Sequence, residues 1–247
     1  MSHEQGLDGG ASERESGVDA NTGTNQRGSG ETASLSPESA ASDIGARAAE
    51  VKRARPGASD YSAQFESLVD FAQERGFYET RLIREPKFGS GNEHEVWYDE
   101  DSSRIIKATY PNKFGFTIGA GRDATPVQYL DRLALQNEVF GDEICVEGVA
   151  NELGRIRIVT SQPYIEGRPA TAQEMEEEFD RLGFRPLTVD GNEIWYRLPD
   201  GVMAFDAHPR NFLTDDSGTV HPIDVNMVHV DPDLKARLDR QLPPDEG

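Results

Sequence analysis

Aromatic side chains carry the largest apolar area per residue, so their placement decides where a core can form. Residues 1–58 contain no Phe, Tyr, Trp or Cys. They are built from Ser, Gly, Ala, Thr, Glu and Asp. Such a stretch buries too little apolar area to offset its ordering entropy. It predicts a disordered tail over 1–58 and a folded domain over 59–247. Near the end of the tail, residues 46–55 read as a transient helix or, through Arg47, Lys52, Arg53 and Arg55, as a basic docking element.

Charge narrows the partners. The chain of 247 residues carries 45 Asp and Glu against 25 Lys and Arg, a formal net charge of −20. A surface this anionic argues against nucleic acid and anionic lipid headgroups. No apolar run reaches the length of a membrane span, and the N-terminus shows no secretory signal. The single cysteine, Cys145, rules out an intramolecular disulfide framework. That suits a reducing, cytoplasmic compartment.

From Tyr61 the chain is patterned. Phe65, Leu68, Val69 and Ala72 predict a helix over 61–75, with Gly76 as its stop. Strands are predicted over Thr80–Phe88, Glu93–Tyr98 and Arg104–Thr109, the last two joined by a turn at Glu100–Ser103. Thr125-Pro126 opens a second helix that runs to Phe140. Ile144–Ala150 and Arg155–Thr160 read as two more strands. Thr171 and Glu174 form a capping box, and Gly183 closes that helix. Glu193–Arg197 with Val202–Asp206, and Phe212–Thr214 with Val220–Ile223, read as hairpins. Asp231-Pro232 caps a last helix. The order implies an α+β fold whose first half is rich in sheet.

Four features carry chemistry. Gly89-Ser90-Gly91-Asn92-Glu93 lies between two predicted strands, where glycines let backbone amides approach phosphate or simply make a tight turn. Lys107 sits among Ile105, Ile106 and Ala108. It either faces solvent or holds phosphates as a point charge. Glu138, on the second helix, either pairs with Lys107 or is one more solvated acid. The last feature is the sharpest. Asp206 precedes Asn211 by five residues, and Asn211 precedes Asp224 by thirteen. The hairpin between them returns Asp224 beside Asn211. In magnesium-assisted phosphoryl transfer, one carboxylate accepts the proton of the attacking hydroxyl, while an amide oxygen and a second carboxylate hold the metal.

On these residues the chain resembles the protein-kinase-like superfamily. The run Asp206-Ala207-His208-Pro209-Arg210-Asn211 is similar to the catalytic loop of aminoglycoside and choline kinase-like phosphotransferases. Closer still is the kinase domain of phage and mobile-element polyvalent proteins. Gly89–Trp97, Tyr129–Leu133 with Asn137–Phe140, Ser161–Pro163 and Phe205–Leu213 carry that resemblance, which spans about residues 60–230. It implies a minimal two-lobed fold: a first lobe over 59–161 with a five-stranded antiparallel sheet, and a reduced second lobe over 162–247. It implies ATP and Mg²⁺ as cofactors and a hydroxyl acceptor, on a protein Ser, Thr or Tyr or on a small molecule. Gly89 and Gly91 would cover the phosphates and Val96 the adenine. Lys107 would contact the phosphates and pair with Glu138. Gln162 and Tyr164 would lie in the hinge between lobes. Asp206 would be the catalytic base, with Asn211 and Asp224 the metal ligands.

The chain departs from the pattern in places. His94 stands where a third glycine often falls, and Arg210 replaces the usual glycine of the catalytic loop. Residues 110–125 form a long insert between Lys107 and the second helix. Only 23 residues follow Asp224, too few for a large peptide-docking lobe. The rival reading is therefore a pseudokinase that binds nucleotide or protein without catalysis. His94, His208, His221 and His229 match no zinc spacing, and Cys145 reads as a packing residue.

Overall fold

A computed structural model describes residues 34–79, 87–115, 123–189 and 191–242. The chain begins there with α1 (Pro37–Ala54) and α2 (Asp60–Glu74). Two strands follow, β1 (Tyr78–Glu79) and β2 (Lys87–Ser90); the predicted strand Thr80–Phe88 lies mostly outside the described residues. Next come β3 (His94–Asp99), β4 (Arg104–Thr109), α3 (Pro126–Phe140), β5 (Cys145–Glu152) and β6 (Arg155–Pro163). The rest comprises β7 (Gly167–Pro169), α4 (Ala172–Arg181), β8 (Phe184–Val189), β9 (Asn192–Arg197), β10 (Val202–Phe205), β11 (Phe212–Asp215), β12 (Val220–Pro222), β13 (Asn226–His229) and α5 (Pro232–Asp239).

The fold is α+β, as the element order implies. One six-stranded sheet has the order β1-β5-β6-β4-β3-β2. Its five strands β5 to β2 pair antiparallel, and the short β1 adds parallel to β5. A second sheet runs β13-β10-β9-β8, and a third β12-β11-β7.

Residues 1–33 of the predicted disordered tail lie outside the described residues, but over 34–58 helix α1 stands where disorder was expected. Ser36 caps it by accepting from the Ser39 N–H, and Pro37 takes the first turn. Ala40, Ala41, Ile44 and Ala48 are buried along one stripe. Leu35 bridges to Val146, whose N–H donates to the Leu35 carbonyl at 2.8 Å. Small side chains at helical spacing pack a helix closely against its neighbours without any aromatic residue, which the aromatic count could not register.

Ile44 joins Leu68, Phe71, Phe77, Phe114, Tyr129 and Ile158 in a core beneath the six-stranded sheet. Helix α3 is set by a reciprocal cap between Thr125 and Gln128, by Pro126 and by Gly141 at φ 72°. It belongs to two cores. Tyr129 and Leu130 pack in the first, while Leu135 and Val139 pack with Phe179, Phe184, Val202, Phe212 and Met227 in a second. Helix α5 places Leu238 with Ile194, Tyr196 and Met203 on the four-stranded sheet. So α3 joins the two cores and lines a cleft together with the six-stranded sheet and the Asp224 segment.

Candidate functional site

Register aligns the cleft face of the sheet. Val96 pairs with Lys107 and Lys107 with Thr160, so these three side chains share one face. His94 pairs with Thr109 on the same face, the Ile158 N–H donates to the Thr109 hydroxyl at 3.0 Å, and Gln162 continues the face through Ile105. A small cavity lies against it. Its lining includes Lys107, Tyr129, Arg132, Gln136, Gln162 and Asp224.

Asp206, the residue after β10, has φ 54°, a left-handed conformation rare outside glycine but tolerated by Asp. Three hydrogen bonds explain why it holds. The His208 N–H donates to the Asp206 carbonyl at 3.1 Å, and the Asn211 side-chain amide donates to it at 2.7 Å. The Asn211 N–H donates to the His208 carbonyl at 2.8 Å. The loop is thus closed on itself, with the Asp206 carboxylate exposed and the Asn211 amide oxygen turned away from the bond that anchors it. The β11–β12 hairpin then brings back the Asp224 segment: the Ile223 N–H donates to the Asn211 carbonyl at 2.8 Å.

Lys107 reaches the same segment from the opposite side. Its Nζ donates to the Ile223 carbonyl, one residue from Asp224. Burial lowers the Lys107 ammonium pKa, and the charges of Asp224, Asp142 and Glu93 partly restore it. Solvent reaches Asp224, yet it sits deep enough that burial raises its carboxyl above the usual range, against the pull of Lys107.

The glycine-rich turn is placed at the cleft edge. Gly89 pairs with Val96 at the end of β2, and the Gly91 N–H donates to the His94 carbonyl at 2.9 Å. A side chain at Gly89 or Gly91 would meet nothing within 4 Å. Neither glycine is demanded by packing, so the space above the turn is open. Gln162 is buried at the end of β6. Tyr164 is exposed, with its ring 4.8 Å from that of Tyr98 and its N–H donating to the Ser103 carbonyl at 3.0 Å.

Glu138 does not meet Lys107. It is exposed and lines a larger cavity of about 950 Å³ with Glu38, Asp131 and His229. The reason is helical phase. The α3 residues that line the Lys107 cavity are Tyr129, Arg132, Leu133 and Gln136. Glu138 falls two positions past Gln136 and so faces elsewhere.

Those inward positions hold polar groups that the sequence reading missed. Arg132 pairs with Glu93 of the glycine-rich turn at 2.7 Å, both side chains at least nine-tenths buried. Gln136 donates to the Asp142 carboxylate at 2.6 Å. The Tyr129 hydroxyl lies 2.9 Å from His94 Nε2. Burial raises the Tyr129 pKa and holds that of His94 well below its ordinary value, so the neutral tyrosine donates to a neutral imidazole. Polar residues at i, i+3 and i+7 on the apolar stripe of α3 were the available signal.

Two oxygen donors, from Asn211 and Asp224, suit Mg²⁺, which keeps several waters and takes few protein ligands. Among the described residues no cluster of three or more His, Cys, Asp or Glu is arranged for a metal, and no helix is long and apolar enough to cross a membrane.

A family model described as a serine/threonine/tyrosine kinase found in polyvalent proteins matches residues 61–229. The chain belongs to this family. No curated protein and no solved structure matches it. None of these comparisons shows the likeness to aminoglycoside and choline kinase-like enzymes that the 206–213 loop suggests.

Proposed function

We propose that this member of the polyvalent-protein kinase family is an ATP- and magnesium-dependent phosphotransferase that delivers a phosphoryl group to a hydroxyl, on a protein Ser, Thr or Tyr. The six-stranded sheet is read as its first lobe and the segment from Gln162 onward as a reduced second lobe. One observation carries the reading: hydrogen bonds through Asn211 and Ile223 draw Asp206, Asn211 and Asp224 into one group, with Lys107 held against it from the sheet.

Each side chain then has a task. Asp206, exposed at its strained turn, accepts the proton of the incoming hydroxyl. Asn211 and Asp224 hold Mg²⁺, which neutralises charge on the transferring phosphate. Lys107 fixes the phosphates, and the open space above Gly89 and Gly91 admits them. Val96, Gln162 and Tyr164 border the base. The anionic surface disfavours nucleic acid and membrane as partners and is consistent with work in the cytoplasm.

The test is mass spectrometry after incubation with ATP and Mg²⁺. Wild type should gain phosphate on itself or on an added protein acceptor. Asp224→Ala and Asp206→Ala should each lose at least about 10²-fold in rate. Transfer by Asp224→Ala at the wild-type rate would remove the metal assignment.

A pseudokinase reading is favoured by two features: Lys107 is engaged by the Ile223 carbonyl, and the cavity beside it is small. Thermal shift separates the two. ATP·Mg²⁺ at about 100 times its Kd adds about 2.7 kcal/mol, or about 5–10 °C for a domain of this size. A shift without transfer selects the pseudokinase.

A further inference from the structure

The glycine-rich turn is tied to α3 by an ion pair buried in the protein. Arg132 Nη2 lies 2.7 Å from Glu93 Oε2, and Nη1 lies 3.4 Å from Oε1. The side chains are 5% and 10% exposed. The Arg132 guanidinium also rests over the Tyr129 ring, 5.4 Å from its centre. The Glu93 carbonyl accepts the Tyr110 N–H at 3.1 Å, so the residue is held at both ends. Gly115, at φ 82°, closes over the pair: a Cβ there would fall 2.7 Å from Arg132 Nη1 and 2.8 Å from the Glu93 carboxylate. Three elements therefore converge on one pair.

Stability alone does not account for it. Two charges taken out of water gain little net energy over apolar residues of the same size, and the best-attested use of such a pair is to fix register. Its position supplies that use. Glu93 follows Gly91 by two residues and leads directly into β3, whose Val96 pairs with Lys107. The field of Glu93 also reaches both Lys107 and Asp224.

We propose that Glu93 and Arg132 are a positioning pair: through the Glu93 carboxylate, α3 holds the glycine-rich turn at the height needed to cover the phosphates. The inference rests on the phosphotransferase reading, and it assigns to Arg132 the coupling of α3 to the cleft that Glu138 does not provide. The pair touches no phosphate itself. It acts through the backbone of Gly91 and Asn92.

Glu93→Gln keeps the shape and removes the charge. With folding checked by circular dichroism, its KM for ATP should rise about tenfold and its kcat/KM should fall about 10²-fold, the scale of a small misplacement of reacting groups. Glu93→Asp keeps the charge but shortens its reach, and it should lie between Gln and wild type. A pair that only stabilises the fold would lower the melting temperature and leave KM for ATP unchanged; that outcome in either folded variant overturns the proposal. Failure of both variants to fold also overturns it, in favour of a purely structural pair. Calorimetry of wild type with ATP·Mg²⁺ keeps the two readings apart. No binding there removes the functional reading, whereas wild-type binding with an unchanged Glu93→Gln removes only the positioning role.

Discussion

His94 is buried, and Lys107, Arg132 and Arg157 surround it with positive charge, so its imidazole stays neutral well below its ordinary pKa. The sign of the consequence follows. In the unfolded chain the imidazole takes a proton below about pH 6.5; in the folded chain it does not. The unfolded state then binds the extra proton, and stability falls as pH falls, by up to about 1.4 kcal/mol per pH unit for one group. Denaturant unfolding at several pH values between about 7 and 5 should show wild type losing stability more steeply than His94→Gln; equal slopes would refute the neutral assignment. His94 also shows what a sequence leaves unread at this scale. Asp206, Asn211 and Asp224 were legible as candidates because residue type and spacing suffice within one short stretch, whereas Lys107, 116 residues from Ile223, was marked by its apolar strand after a glycine-rich turn and by the family resemblance. The Glu93–Arg132 pair was not, since its partners are 39 residues apart and each looks like an ordinary surface charge. Glu138 was misassigned because two residues of helical phase separate an inward from an outward position.

Among the elements, α1 is the clearest departure from expectation, and it invites a direct test. Ile44 has no exposed surface and packs with Leu68, Phe71 and Val146. If α1 is part of the core, Ile44→Ala should cost about 2–5 kcal/mol in denaturant unfolding. A loss under about 0.5 kcal/mol, typical of an exposed site, would return this segment to the status of a tail. Helices α2 and α3 were legible because each combines a cap, an apolar period and a glycine stop. Strands β3 and β4 and the β9–β10 and β11–β12 hairpins were legible from β-branched and aromatic runs around turn residues. By contrast β7 and β13 are short strands whose pairing comes from partners that are not their neighbours in the chain: β7 lies against β11 and β13 against β10. Local pattern carries no record of such non-local bonds. Helix α4 offers a second element-scale test. Thr171 accepts from the Glu174 N–H, and Glu174 returns to the Thr171 N–H while Arg168 pairs with it. Thr171→Ala should cost about 1 kcal/mol, measured by the same unfolding curve.

Over the whole molecule, charge would set the terms on which a nucleotide binds under the proposed function. Residues 59–247 hold 19 basic and 36 acidic side chains, or −17 of the total −20. Around the cleft, Glu93, Asp142, Asp206 and Asp224 confront Lys107 and Arg132, and Arg132 is already committed to Glu93. Under the proposed function, one ammonium would therefore meet a polyphosphate inside an anionic field. Two electrostatic effects compete when salt is added. Screening would weaken a contact of Lys107 with phosphate, but such a contact would be short and sheltered from ions. It weakens the repulsion from remote acids far more, because raising ionic strength from about 0.01 M to about 0.1 M shortens the screening length from about 30 Å to about 10 Å. The second effect wins for ATP without metal. Its affinity, measured with a fluorescent ATP analogue, should rise severalfold over that range, where a basic phosphate site would lose affinity. Under the proposed function, Mg²⁺ on Asn211 and Asp224 would cancel charge locally, so with Mg²⁺ in excess the affinity should be higher at every salt concentration and depend on salt much less. Affinity for metal-free ATP that falls as salt rises would show that local cations, and not the net field of the domain, govern the cleft.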